Sequence, residues 1–126
     1  MPKTHHSPEV AAAFAIQRAE LAARRERRPT IEAEGLAALR RLLPIAQSDT
    51  GQSRRIARFL LGLYNGTRFK FDLTDFRGLD YALHDDCLAV LRMDHVPAME
   101  VHKYFERGGA IFEQLAFDWG WKKEEN

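Results

Sequence analysis

The sequence predicts an all-α fold, an irregular bundle of about five helices with an extended connector near residues 67–72. Apolar residues recur at helical spacing over most of the chain. Prolines and the pair Asn65-Gly66 divide these stretches into lengths that are typical of helices. Only residues 67–71 alternate in the manner of a strand, and no second strand signal is there to pair with them.

The chain of 126 residues corresponds to about one domain, which can bury a core without disulfides or metal. We expect a disordered amino terminus at residues 1–7, a single helical domain over residues 8–120 and a solvated tail at residues 121–126. Cys87 is the single cysteine, so no internal disulfide can form, as is typical of a reducing cytoplasm. Neither a signal peptide nor a membrane span is evident, so we predict a cytoplasmic protein with no membrane partner and no cofactor.

Charge is unevenly distributed although the net charge is only +1, which excludes a global field of the kind that marks nucleic-acid binders. Residues 1–60 contain 11 Lys and Arg against 6 Asp and Glu, whereas residues 61–126 contain 8 against 12. The basic front half and the acidic back half predict attraction within the molecule or head-to-tail contact between copies. An uneven surface charge without a function is the simpler interpretation.

The first helix is predicted to begin at Pro8 behind the Ser7 N-cap and to end at about Arg28. It ends there because the residue before Pro29 avoids the α region. This peripheral helix, residues 8–28, is rich in alanine and has a thin apolar stripe. We therefore expect it to lie at the edge of the domain, or to project until a partner covers it.

The next two helices are shorter. A second helix is predicted over residues 31–43, where it ends before the next proline, and Gly35 weakens its middle. A third helix is predicted over residues 52–64, and Asn65-Gly66 would close it as a left-handed C-cap. Its apolar side chains face one way and most of its arginines face the other.

The last two helices are predicted to hold the core. The fourth, residues 79–93, has apolar side chains on two opposite faces, which is typical of a central helix. The fifth, residues 98–119, has an apolar stripe that passes through Gly108-Gly109, a pair that costs a helix about 2 kcal/mol relative to alanine. We expect a continuous helix that another helix or a ring crosses closely at Gly108, with two shorter helices, 98–107 and 110–119, as the alternative.

Residues with catalytic or metal-binding chemistry are present but do not form an established pattern. His84-Asp85-Asp86 resembles the central pair of metal-dependent phosphohydrolases, yet its spacing from the other His and Asp residues matches no ligand pattern. Surface polar residues are therefore the favoured interpretation, and no metal site is predicted. Cys87 lies on an apolar face without a neighbouring base, so we predict a buried thiol, no catalytic residue and no enzyme.

Asp86 falls on the apolar side of the fourth helix, where a carboxylate needs a charged or hydrogen-bonded partner. Arg55, on the flank of the third helix, is the predicted partner. A structural ion pair is favoured here over a catalytic role.

Arginines crowd two stretches of the front half. One is the end of the first helix, with Arg24, Arg25 and Arg28, and the other is the third helix, with Arg54 and Arg58. Leu61 lies on the charged side of the third helix, and we expect it to be exposed there. We predict that these six residues contact a protein partner. Interleaved glutamates interrupt the basic pattern, so a phosphate-tracking surface for nucleic acid is the alternative.

The stretch from Ser53 to Gly66, SRRIARFLLGLYNG, is followed by FDLT at residues 71–74, by LD at 79–80 and by DDCL at 85–88. In these segments the chain resembles a family of small uncharacterised proteins found on proteobacterial plasmids and integrating conjugative elements. The similarity covers about residues 30–120. It implies a bacterial cytoplasm and an accessory role in a mobile element. Accessory proteins of such elements often bind host or element machinery, including defence systems.

These observations predict a non-enzymatic helical interaction module that binds a protein partner. A nucleic-acid-binding accessory or regulatory protein that uses the Arg-rich front half is the first alternative. A metal-dependent phosphohydrolase-like enzyme is the second. A homo-oligomer is compatible with the opposite charges of the two halves.

Overall fold

Helices account for all the regular structure in the part of the chain that the computed structural model describes, residues 7–121. The α-helices are α1 (Pro8–Ala46), α2 (Ser53–Tyr64), α3 (Tyr81–His95) and α4 (Gly108–Asp118). Two short 3₁₀ helices span Leu73–Gly78 and Val101–Tyr104. The all-α prediction is therefore confirmed. Most of the predicted disordered terminus and of the predicted tail, residues 1–6 and 122–126, lies outside the described residues.

α1 is one helix of 39 residues where the sequence predicted two, so the predicted ends at Pro29 and Pro44 are wrong. Both prolines are exposed, and each removes one backbone hydrogen bond from the helix. An interior proline costs a helix about 3 kcal/mol. The high helix propensity of the alanine-rich first half and the packing of the second half offset this cost. The Ser7 cap is present, and its hydroxyl oxygen accepts a hydrogen bond of 3.2 Å from the N–H of Val10.

The two halves of α1 differ in burial. All of residues 7–27 are exposed, and the first fully buried residue of the helix is Gly35. Beyond Gly35 the helix buries small and aliphatic residues along one face, namely Ala38, Leu39, Leu42, Leu43 and Ala46. Residues 8–27, here termed the α1 extension, therefore project from the domain, as the thin apolar stripe of the sequence allowed.

The core lies around the second half of α1 and around α2. α1 packs against α2 and α3, and α2 also contacts α4 and both 3₁₀ helices. α3 buries Leu83, Cys87, Val90 and Met93 against this core, whereas Tyr81 on its other side is 91% exposed. The expectation that this helix lies at the centre of the bundle is wrong, because only one of its two apolar faces is covered.

Gly35 makes the close contact between α1 and α3. A Cβ atom placed there would lie 2.4 Å from Cβ of Met93 and 3.1 Å from the carbonyl oxygen of Ala89. Glycine at this position lets the two helices approach each other closely. It therefore has a packing role that the sequence, which indicated only a weakened helix, did not reveal.

The predicted continuous helix over residues 98–119 is wrong. The second 3₁₀ helix ends at Tyr104, and Arg107 adopts a left-handed conformation, with φ of 56°, just before α4 begins. The alternative of two shorter helices describes this segment better. A close approach does exist at Gly108, because a Cβ there would lie 1.6 Å from the carbonyl oxygen of His102. The neighbour is thus the preceding turn of the chain, and not a crossing helix or a ring.

The end of α2 also differs from the prediction. Asn65 is extended, with φ of −155°, and no residue of the Asn65-Gly66 pair is left-handed, so the predicted C-cap is wrong. The side-chain oxygen of Asn65 instead accepts hydrogen bonds from the N–H groups of Thr67 and Arg68, at 3.2 and 3.1 Å. This local turn starts the connector to the first 3₁₀ helix.

Candidate functional site

A groove of about 430 Å³ lies between α1 and the carboxyl end of α3. It combines apolar side chains with four arginines and a histidine, and no acidic residue among residues 7–121 lines it. We term it the arginine groove, and its lining residues are Leu21, Arg24, Arg25, Arg28, Ile31, Arg92, His95 and Val96. An adjoining cavity of about 330 Å³ shares Arg24, Ile31, Arg92 and His95 and adds Leu88 and Leu91.

Arg28 ties the two walls of the arginine groove together. Its guanidinium donates hydrogen bonds to the carboxylate of Glu32 at 3.0 Å, to the carbonyl oxygen of Met93 at 2.9 Å and to the carbonyl oxygen of Val96. The last carbonyls of a helix have no partner within the helix, so this arginine satisfies acceptors at the end of α3. Arg28, which the sequence predicted as a contact residue, thus has a structural role in addition.

The other three arginines of the groove are exposed and uncompensated. Within residues 7–121, Arg24, Arg25 and Arg92 form no ion pair with a carboxylate. They lie beside Leu21 and Val96, whose side chains are 50% and 61% exposed. A surface that mixes free cations with exposed aliphatic groups is suited to an acidic segment that also has an apolar face.

A second cluster of arginines surrounds a small pocket of about 140 Å³ at the start of α2. We term it the α2 pocket, and its lining residues are Gly51, Arg54, Arg55, Arg58 and Asp75. Arg54 is exposed. A terminal nitrogen of Arg58 lies 4.0 Å from the carboxylate of Asp75, and its guanidinium carbon lies 5.7 Å from the centre of the Trp121 ring. The Nε atoms of Arg55 and Arg58 are buried without a hydrogen-bond partner.

The first 3₁₀ helix closes the α2 pocket and is held against α2 by apolar and polar contacts. The ring of Phe76 packs against Phe59 and Phe71, with ring centres 5.7 and 4.9 Å apart. The side chain of Gln52 donates to the carbonyl of Gly78 and accepts from the N–H of Asp80, both at 3.0 Å. These contacts place Asp75 and Gly78 beside the arginines of α2.

Asp72 caps the amino end of the first 3₁₀ helix. Its carboxylate accepts hydrogen bonds from the hydroxyl and the N–H of Thr74, at 2.8 and 2.9 Å. These hydrogen bonds hold the pKa of Asp72 below its usual value. The cap fixes the start of the segment that carries Asp75.

Leu61, the predicted apolar contact residue, is fully buried, so this prediction is wrong. α2 contacts α1, α4 and both 3₁₀ helices, and its covered surface is therefore wider than one apolar face. The sequence pattern suggested a helix with a single buried side, because only the most apolar stripe of a helix is visible in its periodicity.

Asp86 forms an ion pair, but its partner is Arg41 and not Arg55. The two side chains make a bidentate contact, with nitrogen–oxygen distances of 2.8 and 3.1 Å, and this contact raises the pKa of Arg41. α3 packs on α1, so a cation from α1 reaches Asp86. The guanidinium of Arg55 lies instead against Gly78, where a Cβ would come within 2.4 Å of its carbon.

The His84-Asp85-Asp86 segment does not form a cluster. The ring of His84 packs edge-on against Phe76 at 5.9 Å, Asp85 is exposed and Asp86 bonds to Arg41. Within residues 7–121, no three His, Cys, Asp or Glu side chains lie close enough together to hold a metal ion. Cys87 is buried, and burial raises its pKa to about 12, which opposes reaction as a thiolate.

The sequence analysis missed a polar cluster that joins α2 to α4. Two nitrogens of Arg68 contact the two carboxylate oxygens of Glu113, at 2.6 and 2.9 Å, and the hydroxyl of Tyr64 donates to the same carboxylate. Burial and then this hydrogen bond raise the pKa of Tyr64. Glu113 lies 49 residues from Tyr64 and 45 from Arg68 in the chain, so no local spacing could have indicated the cluster.

Comparison with known proteins assigns the chain to a family without assigning an activity. No curated protein and no solved structure matches it. Among residues 7–121 there is no helix with the length and apolar character needed to cross a bilayer. A family model described as a family of unknown function, DUF7673, matches residues 36–120, which include the α2 pocket but begin after the α1 extension. The chain therefore belongs to the DUF7673 family.

Proposed function

We propose that the protein is a non-enzymatic interaction module that binds a protein partner in the arginine groove. The composition of the groove carries the proposal: Arg24, Arg25 and Arg92 have no carboxylate partner there and lie beside exposed aliphatic side chains. Uncompensated cations beside apolar surface are an incomplete interface, because a partner that supplies carboxylates and apolar groups improves both kinds of contact.

The partner segment that fits this surface is an acidic amphipathic helix. Its apolar face would cover Leu21, Ile31 and Val96, while its carboxylates would meet the arginines along the rim. Arginine favours such contacts because its planar guanidinium binds a carboxylate in two places. The α1 extension offers further exposed helix surface beside the groove for the same partner.

The setting of the proposal follows from the resemblance to proteins of plasmids and conjugative elements. We propose that the module acts in the bacterial cytoplasm as an accessory protein of a mobile element. Its partner then belongs to the machinery of that element or to a host defence system. Association with nucleic acid through the Arg-rich front half is the alternative that the experiment below separates from protein binding.

The experiment measures binding of a fluorescently labelled peptide by anisotropy. The probe is a designed amphipathic helix of Leu and Glu, and the same peptide with Lys in place of Glu is its control. The groove variant carries Arg24→Glu and Arg92→Glu, and a matched variant carries Arg18→Glu and Arg40→Glu, two exposed arginines that do not line the groove. We expect the acidic peptide to bind, the groove variant to lose at least about tenfold in affinity, and the matched variant to keep it.

A duplex DNA of random sequence serves as the second ligand in the same assay. Tighter binding of the duplex than of the acidic peptide, with a steep decrease as salt rises, would favour the nucleic-acid alternative. Equal losses in the groove and matched variants would show that net charge alone drives peptide binding, and the groove proposal would then be abandoned. Capture from the native host, with and without nuclease, then identifies the natural partner by its dependence on Arg24 and Arg92.

A further inference from the structure

We propose that the α2 pocket binds the phosphate group of a small phosphorylated molecule. The pocket shares no lining residue with the arginine groove, so this site is separate from the proposed protein interface. Three observations support it: the convergence of three guanidinium groups, their incomplete hydrogen bonding and the open amino end of α2.

The first observation is the convergence of charge. Arg54, Arg55 and Arg58 come from the first two turns of α2, and all three line one pocket of about 140 Å³. Asp75 is the single carboxylate among the lining residues within 7–121, so cations outnumber anions there by three to one. A dianion such as a phosphate monoester would balance this charge. Each guanidinium group can also donate two parallel hydrogen bonds to two oxygens of a phosphate.

The second observation is that the cations are partly desolvated without being fully paired. The Nε atoms of Arg55 and Arg58 and the Oδ2 atom of Asp75 are buried and have no hydrogen-bond partner in the part of the chain that the structure describes. The ion pair between Arg58 and Asp75 has a nitrogen–oxygen distance of 4.0 Å. That distance exceeds hydrogen-bond length, so the donors of Arg58 are not consumed by Asp75.

The third observation concerns the backbone at the start of α2. The N–H groups of Arg54 and Arg55 donate to no acceptor within residues 7–121. Gln52 occupies the N-cap position, but its side chain bonds to Gly78 and Asp80 and does not cap the helix. The positive end of the helix dipole therefore adds to the charge of the arginines and favours an anion.

The size of the pocket indicates a single phosphate and not a polymer. A nucleic-acid strand is tracked by cations spread along a surface, whereas these three converge on one small cavity closed by the first 3₁₀ helix. The ligand class is therefore a small molecule with a terminal phosphate. Free inorganic phosphate offers the same oxygens and is the simplest probe.

The test is isothermal titration calorimetry of the full chain with inorganic phosphate and with glycerol phosphate at constant ionic strength. Arg54→Gln is the main variant, because Arg54 is exposed and its loss leaves the core intact. Arg40→Gln removes the same charge from an exposed position outside the pocket and is the matched control. We expect binding of both ligands, a loss of at least about tenfold in Arg54→Gln and no change in Arg40→Gln.

Two further variants test the geometry. Asp75→Asn removes the carboxylate that would repel the ligand and is expected to tighten binding several-fold. Gly78→Ala keeps every charge, but its Cβ would lie 2.4 Å from the guanidinium carbon of Arg55. That guanidinium ends a flexible side chain, so it is expected to move aside and weaken phosphate binding several-fold while the fold persists.

Three results would overturn the proposal. One is that titration with phosphate or with glycerol phosphate gives no more heat than titration with chloride at equal ionic strength. Another is an equal loss of affinity in Arg54→Gln and Arg40→Gln, which would show only a net-charge effect. A third is binding of a single-stranded oligonucleotide without terminal phosphate, dependent on Arg54 and tighter than that of glycerol phosphate. That result would replace the small molecule with nucleic acid as the ligand.

Discussion

Gly108 and Gly35, like Gly78, lie where an added methyl group would collide with neighbouring atoms. Gly108 faces the carbonyl oxygen of His102, and Gly35 faces Met93 across the contact between α1 and α3. Neither glycine has a positive φ, so lack of space and not backbone freedom excludes a side chain at these positions. A Cβ added at the neighbouring Gly109 would meet only a ring carbon of His102 at 3.9 Å. Alanine substitutions at Gly108 and Gly109 can therefore be compared directly.

We expect Gly108→Ala to lower the free energy of unfolding by about 3 kcal/mol, because the obstructing atom belongs to the backbone and cannot rotate away. Gly109→Ala, one residue further along α4, is expected to be neutral or to stabilise by up to about 1 kcal/mol through helix propensity. Urea unfolding followed by circular dichroism measures both. Equal effects of the two substitutions would contradict the role of the His102 contact.

The raised pKa of Tyr64 predicts a dependence of stability on alkaline pH. Its ordinary pKa is 10.0, and the folded state holds the phenol proton more tightly because of burial and the Glu113 hydrogen bond. Its stabilising contribution is thus complete below pH 10 and is lost as the pH rises through the higher pKa of the folded state. We expect the free energy of unfolding to fall less steeply above pH 10 in Tyr64→Phe than in the wild type.

The control for this prediction is Tyr81→Phe, since the ring of Tyr81 is almost entirely exposed. Urea unfolding at several pH values between 8 and 11 provides the comparison. The same slope in the wild type and in Tyr64→Phe would show that other groups, such as the buried thiol of Cys87, account for the alkaline loss of stability.

At the scale of the elements, α1 is the feature that sequence rules describe least well. The rule that a proline ends a helix reflects a local cost, namely a lost backbone hydrogen bond and a clash with the preceding turn, yet Pro29 and Pro44 both lie inside α1. Packing on α2 and α3 holds the second half of the helix, while Arg28 fixes the region of Pro29 to the end of α3. Tertiary contacts of this kind are not visible in a local pattern.

Amide hydrogen exchange followed by mass spectrometry tests the contrast between the two halves of α1. We expect fast exchange in the α1 extension, where every residue is exposed, and slow exchange beyond Gly35. Pro29→Ala restores a backbone donor to the carbonyl of Arg25 and is expected to slow exchange in the extension. Equal protection of the two halves in the wild type would contradict the structure of α1.

The sequence predicted those elements whose limits depend on local signals. α2 and α3 begin and end within about two residues of their predicted limits, because strong helical periodicity is bounded by polar turns. The break before α4 was only the alternative, because the apolar stripe keeps its phase across Arg107, although the backbone there is left-handed. The phase of a pattern shows which side chains are apolar but not whether the helix between them is continuous.

The candidate sites could be predicted in composition but not in geometry. Arg24, Arg25, Arg28, Arg54 and Arg58 were identified from the sequence as contact residues, whereas Arg92 was not, and the division of the arginines between two cavities depends on how α3 and the first 3₁₀ helix pack. The partner of Asp86 was missed for the same reason, because α3 lies on α1. Contacts between residues far apart in the chain are set by the whole fold.

At the scale of the whole molecule, basic residues of the front half form ion pairs with acidic residues of the back half of the same chain. The ion pairs Arg41–Asp86 and Arg58–Asp75 each join a cation of the front half to a carboxylate of the back half. This arrangement agrees with attraction inside the molecule, the first of the two expectations. Contact between copies stays a prediction, and sedimentation at low and high salt is the measurement that tests it.

Deletion of residues 1–27 separates the two proposed sites. Residues 7–27 are exposed throughout, and the buried part of α1 begins at Gly35, so we expect the free energy of unfolding to change by less than about 1 kcal/mol. The deletion removes Arg24 and Arg25 and should abolish binding of the acidic peptide, while phosphate binding persists. Global unfolding of the shortened chain would contradict the assignment of the core to the later residues.

The α1 extension has a mechanical consequence. Its 20 residues, at a rise of 1.5 Å each, make a rod of about 30 Å, comparable to the diameter of a small domain. Arg28 hydrogen-bonds the base of this rod to the end of α3, and these bonds set the direction of the rod relative to the rest of the chain. The arginine groove begins at Leu21, near the base of the rod, so residues 8–20 extend beyond the groove and lengthen the reach of the molecule.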